Sequence, residues 1–235
     1  VAIGVVALAT LSLAACGDIL DVDNPGQILD TDLNDANLID VLITGLSSDV
    51  SDFVDNMAFN VARLTDEMAG SGSYADTGYF RVGDAKQDQV GGEWDQAHEA
   101  VWMAELHIER IEGLLEPAAF TASDQVARAY VFQGIGHRTL GENYCQVVYS
   151  PREGTEYGTL QDHTVAFEKA ITSFNRALNY GSGEHDLAAH AGLAQTYAAL
   201  GQWDQAKAQA AMVPSDFRWD VYYDINDNAN ILYDE

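Results

Sequence analysis

The stretch "AFEKAITSFNRALNYG", residues 166–181, is echoed further along by "QWDQAKAQAAMVPSD", residues 202–216. Phe167 aligns with Trp203, Ala170 with Ala206, Phe174 with Ala210 and Ala177 with Val213, every pair 36 positions apart. Bulky and small residues recur at helical spacing in both copies, and "AHAGLAQTYAALG", residues 189–201, precedes the second. The pattern predicts helices paired through a tight turn. Gly201 frees the backbone for that turn, Ala206 allows close approach of the two helices, and Trp203 is expected to fill the gap beside them.

Leu193, Tyr197, Gly201, Trp203, Ala206 and Pro214 stand where a tetratricopeptide repeat places a leucine, a tyrosine, a turn glycine, an aromatic, a small residue and a closing proline. The segment resembles that repeat; a generic helical hairpin with coincidental small residues is the other reading. The first copy would have helices at 123–140 and 164–179, separated by a loop at 141–163. Two repeats cannot cover their own apolar faces, so helices at 39–68 and 93–115 are expected to supply the cover.

Those outer helices are legible from period alone. Ile39, Ile43, Leu46, Val50, Phe53, Met57, Val61, Leu64 and Met68 step by three and four, with Gly45 and the Ser47–Ser48 pair as a potential break. Trp94, Ala97, Val101, Ala104, Ile108, Ile111 and Leu115 do the same until Pro117 ends the run. Ser123 or Thr121 is a cap for the next helix, and further helices are expected at 164–179, 187–200 and 203–212. Only "CQVVY", residues 145–149, reads as a strand candidate. The fold class expected is mostly α, a tetratricopeptide-like helical-repeat scaffold with long irregular loops at 69–92 and 141–163.

The 235 residues carry a formal net charge of -26. Such a surface repels nucleic-acid phosphates and anionic head groups, so no nucleic-acid partner is expected. Two cysteines make no disulfide framework; Cys145, among aromatic and β-branched neighbours, is expected to be a buried, inert thiol.

The N-terminus, "VAIGVVALATLSLAAC", is an uncharged run too short to span a bilayer. It matches the apolar region of a secretory signal, and the expectation is that the sequence begins inside that signal peptide, residues 1–15. Leu13-Ala14-Ala15-Cys16 resembles a bacterial lipobox, with Cys16 as the lipidated residue and 16–34, rich in Asp, Asn, Pro and Gly, as a tether. Gly17, in place of an inner-membrane retention Asp, favours the outer membrane by the same resemblance. A buried helix ending in cysteine is the competing reading.

Four segments in order resemble SusD/RagB-type nutrient-binding lipoproteins: "LAACGDILDVDNPGQI", "WDQAHEAVWMAELHIERIEGL", "ARAYVFQGIGHRTLGENYCQVVY", and the paired repeats. Members of that family are longer, so 35–235 would be the N-terminal part of a SusD-like helical domain, truncated at its C-terminus. The resemblance implies a lipid-anchored, surface-exposed protein of the outer membrane. It would capture a glycan or another nutrient, such as a peptide, for a SusC-like TonB-dependent transporter. No enzymatic step and no cofactor is implied. Sugars are held by aromatic faces and by side chains that bond hydroxyls. The candidates are Tyr74, Tyr79, Phe80 and Arg81 in the first loop, and Asn143, Tyr144, Tyr149 and Arg152 in the second; core packing or loop anchoring is the alternative role for each. The alternative function is a tetratricopeptide-type protein-interaction scaffold of the envelope.

No phosphate-binding, nucleophile-elbow or HExxH motif occurs. His98, His107, His137, His163, His185 and His190 lack metal-ligand spacing and read as solvated or helix-face histidines. "DINDNANILYDE", residues 224–235, has the polar spacing of a calcium loop, but Ala229 replaces the turn glycine, so a polar loop is the expectation.

Overall fold

The computed structural model describes residues 28–65, 67–69, 79–80, 82–84, 92–151, 154, 156–180, 183–220 and 222–223. Residues 1–15, Cys16 and the stretch at 224–235 lie outside the described residues, and with them the expected signal peptide, lipidation site and calcium-like loop. The chain divides into two compact units, Val1–Asp35 and Ala36–Glu235. Among its described residues the first holds one 3-10 turn, Asp30–Leu33.

The second unit is mostly helical. A 3-10 turn, Ala36–Leu38, leads into α1, Ile39–Leu64. α1 runs unbroken past Gly45 and the serines, where a break was anticipated. The local hydroxyls bond within the helix instead of capping new ends: Thr44 Oγ1 donates to the Asp40 carbonyl (2.7 Å) and Ser51 Oγ to that of Ser47 (2.8 Å). Ile43, Leu46, Val50 and Phe53 form its buried stripe.

α2, Gly92–Leu114, runs antiparallel to α1, with Asn60 donating to Glu93 and Asn56 to Gln96. Pro117 stops α2 and also starts a short helix, α3 (Pro117–Thr121), the first-turn position where its missing N–H costs nothing. α4, Asp124–Asn143, is capped as expected by Ser123, whose Oγ accepts from Val126 N at 3.4 Å. It is the central helix, packing on α1 and α2 and on two later helices, α5 (Thr164–Ala177) and α6 (Glu184–Ala199).

α4 and α5 lie antiparallel, Gly134 against Phe174 and Gly141 against Phe167. α6 follows α5 and is joined to α7, Trp203–Ala210, by a turn in which Gly201 takes φ 70°, the left-handed conformation that favours glycine. Ala206 is buried in the α6–α7 seam, where His190 Nδ1 lies 2.6 Å from Gln209 Oε1. Trp203 does not fill that gap. It stands at the first position of α7 and is 62% exposed.

"CQVVY" supplies a strand, β1 (Gln146–Val148), but its partner was not foreseen. β2, Leu160–Asp162, pairs with it antiparallel, Gln146 opposite Asp162 and Val148 opposite Leu160. Val147 is buried beneath the hairpin, while Cys145 is exposed, contrary to expectation. Its carbonyl accepts from His163 N at 3.3 Å, which holds the backbone at the strand edge and leaves the thiol outside. Asp162 then starts α5, its Oδ1 accepting from Thr164 N (2.9 Å) and Thr164 Oγ1 (2.6 Å).

Candidate functional site

Trp94, His98 and Trp102 recur every fourth residue along α2 and share one face of it. That face meets His137 of α4, Tyr149 just past β1 and Lys169 of α5. Together they line a cavity of about 420 Å3, with Glu105 on the same α2 face.

The rings contact one another in a chain. Trp94 meets His98 at 4.6 Å between centroids and the edge of Tyr144 at 4.8 Å. His98 and His137 each meet Tyr149 edge-on, at 5.5 and 5.3 Å. Lys169 Nζ stands 4.7 Å from the Tyr149 ring centroid, a cation–π contact. Edge-to-face packing fixes the ring planes and leaves the remaining faces available for stacking.

Electrostatically the site combines neutral aromatic and imidazole groups with one cation, Lys169, and one carboxylate, Glu105. His137 is 3% exposed. Burial, then the Lys169 charge and His98, push its pKa down to about 3, so it is neutral at pH 7. Tyr149 is raised by burial and by Glu105, and stays a phenol. Its hydroxyl lies 2.9 Å from His137 Nδ1 and is the donor when Nε2 carries the imidazole proton. Tyr144 is pushed up to about 12 by burial, then by Glu93 and Asp95. Burial also lowers His98, whose Nε2 is buried without a hydrogen bond. A buried polar atom of that kind is normally satisfied by protein, water or ligand. Behind the wall, Ser173 Oγ donates to Gln133 Oε1 (2.7 Å) and Gln133 Nε2 lies 3.5 Å from Glu105 Oε1. This tie links α2, α4 and α5.

The arrangement suits binding. Aromatic faces, hydroxyl and imidazole groups, one ammonium and one carboxylate surround an open space, the composition that holds polyols and peptides. The His137–Tyr149 pair is a poor proton-transfer couple near neutrality, because an acid and a base effective there have pKa values close to 7.

The structure brings one of the sequence candidates, Tyr149, to this cavity wall, and sets Tyr144 behind it against Trp94. Asn143 is exposed at the end of α4, its Nδ2 donating back to the Thr139 carbonyl at 2.9 Å. Phe80 is 4% exposed, its ring centroid 3.9 Å from the guanidinium of Arg63, which also lies over Phe59 at 4.2 Å. That is the anchoring role. Tyr79 beside it is 37% exposed. Tyr74, Arg81 and Arg152 lie outside the described residues. Of the histidines read as solvated or helix-face, three lie on helix faces that are buried: His107, His137 and His185. Each sits on the inward stripe of its helix, and burial lowers His137 and His185 accordingly.

Trp94, His98, Trp102, His137 and Lys169 were not among the candidates. The four-residue step Trp94–His98–Trp102 was a usable signal, since two of the four tryptophans in the chain fall on it. Among the described residues no group of three or more His, Cys, Asp or Glu side chains is placed to hold a metal ion, and no helix is long and apolar enough to cross a membrane. No protein-family model matches the chain, and no characterised protein matches it at a significant level.

Proposed function

We propose that the protein is a SusD/RagB-type lipoprotein of the outer-membrane surface, anchored through Cys16. In this reading it takes a glycan or another nutrient into the cavity beside Tyr149 and passes it to a SusC-like TonB-dependent transporter. The observation that carries the reading is the convergence of Trp94, Trp102 and Tyr149, with His98 and Lys169, on one open space. Tyrosine and tryptophan faces stack on sugar C–H groups, and the Tyr149 hydroxyl and Lys169 ammonium bond to hydroxyls or carbonyls. The order of the four family-like segments supports it from the sequence side. The finer architecture, a tetratricopeptide-like repeat, belongs to the same proposal. Its support is the Gly201 turn, buried Ala206 and the antiparallel pairing of α4 with α5. Exposed Trp203 is its departure from the motif.

The test is calorimetry of the full-length protein, without lipid, against panels of oligosaccharides and peptides. A ligand is expected in one panel, with affinity reduced about tenfold or more in Trp94→Ala and Tyr149→Ala. Circular dichroism would verify that both variants are folded. Binding unchanged in both removes this cavity from the account. No ligand in either panel, together with recovery of a stable protein partner, favours the interaction-scaffold function instead.

A further inference from the structure

A second cavity, of about 430 Å3, lies away from Tyr149, between α1, α4, α5 and α6, with residues 217–220 and 222 along it. The space exists because α6 presents Ala188, Ala191 and Gly192 there, while Val50 and Val54 of α1 and Phe132, Ile135 and Phe174 supply an apolar wall. Trp219 extends the wall, stacked on Phe132 at 5.4 Å and 30°.

The charges in this cavity are unlike the rest of the molecule. The whole chain has 11 lysines and arginines against 37 acidic residues, yet Arg128, Arg138 and Arg218 all line this space. Arg218 is engaged by Asp220 at 3.1 Å and is largely exposed. Arg128 and Arg138 share one face of α4, with Phe132 and Ile135 between them. Arg128 donates to Ser47 Oγ at 3.3 Å and lies 5.2 Å from the Phe132 ring centroid. Arg138 pairs with Glu142 at 3.3 Å, and its Nε is buried without a hydrogen bond. Glu142 is part-exposed, and burial raises its carboxyl although Arg138 opposes the shift. Glu184 and Asp220 are the acidic residues of the lining, the latter already held by Arg218. A guanidinium has five donors in a fixed fork that matches a carboxylate. Two such forks beside an apolar wall call for an occupant with an anionic head and an apolar body.

We propose that this cavity is a second ligand site, which binds an organic carboxylate carrying an apolar body through Arg138 and Arg128, with the body against Phe132, Phe174 and Val50. The same chemistry comes from two sources: a medium-chain fatty acid, or the C-terminal carboxylate of a hydrophobic peptide. The site does not depend on the nutrient-binding reading, because it shares no lining residue with the cavity at Tyr149.

The experiment is calorimetric titration of the full-length protein with decanoate and with N-acetyl-Leu-Phe. The controls are decan-1-ol and N-acetyl-Leu-Phe-amide, which lack the charge. Binding of either acid, at least about tenfold tighter than its neutral control, is expected. Arg138→Met and Arg128→Met, both verified as folded by circular dichroism, should each lose about tenfold or more for the acid and little for the control. If only decanoate binds, the source is lipid; if only the peptide acid binds, it is peptide. Neutral and charged forms binding equally, neither acid binding, or acid affinity unchanged in both folded variants would each overturn the proposal.

Discussion

The ring of Phe174 is pressed against Gly192: a Cβ on that glycine would lie 2.4 Å from ring carbons. Gly134 of α4 leaves the same ring no more room from its side, at 2.5 Å. Phe174 is fully buried, so it keys α5 between α4 and α6 through the absence of two methyl groups. Gly192→Ala would gain up to about 1 kcal/mol of helix propensity but must displace the buried Phe174 ring from its place against Gly134, toward the cavity it lines. Overpacking of this kind costs about 1–3 kcal/mol, so a net loss is expected in urea unfolding. Phe174→Ala is expected to cost about 3–5 kcal/mol. A Gly192→Ala variant as stable as wild type would show that the ring is not held there.

Gly201 and Trp203 lie two residues apart and are expected to behave in opposite ways. Gly201 has φ 70° with open space around it, so Gly201→Ala pays only for the left-handed backbone, about 1–2 kcal/mol. Trp203→Ala, at an exposed position, should change stability by no more than about 0.5 kcal/mol. Chemical denaturation measures both. A large loss from Trp203→Ala would mean that the indole packs as the repeat motif demands, and the α6–α7 seam described here would be wrong.

Cys145 offers a simple check on the hairpin. Its thiol is exposed while Val147, two residues along β1, is buried. Alternation along a strand requires that difference between successive residues only; here the exposure of Cys145 follows from its place just before β1. Iodoacetamide should modify Cys145 in the native protein at a rate close to that in denaturant, read by peptide mass spectrometry. Protection that disappears only on unfolding would restore the buried thiol expected from its aromatic neighbours.

Period and caps made the helices legible, because α-helical order is local. The stripes of α1 and α2, the Ser123 cap and the Gly201 turn all appear within a few residues of where they act. What the sequence hid is non-local. β2 has three residues, Leu160–Asp162, all exposed, so no burial pattern could mark it; only pairing with β1 makes it a strand. The cavity at Tyr149 was half visible. Tyr149 stood out as a loop aromatic, but Trp94 fell on the apolar period and read as core. His137 and Lys169 come from α4 and α5, and glycines of α4 set how closely α4 meets α2 (Gly136) and α5 (Gly134, Gly141). Gly45 and the Ser47–Ser48 pair looked like a break, but the Ser47 hydroxyl is used across the helix interface, accepting from Arg128 of α4.

The bond between Tyr149 and His137 predicts a stability cost without any ligand. Tyr149→Phe keeps the ring and removes the hydroxyl, leaving buried Nδ1 of His137 unsatisfied. A loss of about 1–3 kcal/mol is expected, and Tyr149→Phe with His137→Leu should recover part of it because both polar partners are then gone. If the single variant is neutral in urea unfolding, water satisfies the imidazole and the bond has no role in holding the loop.

The same histidine makes stability depend on pH. Its pKa is about 3 in the native protein against an ordinary 6.5. Between those values the unfolded chain takes up a proton that the native state refuses, so the unfolded state binds more protons and stability rises with pH. The contribution is complete above pH 6.5 and is lost as pH falls toward 3. Asp49 works the other way. Burial, then Glu99 and Asp52, raise its carboxyl to about 6 from 3.8. Between 3.8 and 6 the native state keeps a proton that the unfolded chain releases, so acidification over that window favours folding. The two windows overlap, and wild type alone would show only their difference. His137→Gln removes one of them while keeping a group that accepts from Tyr149. Unfolding free energies of both proteins from pH 7.5 to 4 should therefore converge on acidification, wild type losing on the order of 3 kcal/mol relative to the variant. A constant difference across that range would mean that His137 titrates alike in the folded and unfolded chains, and that it is not sealed between α2, α4 and α5.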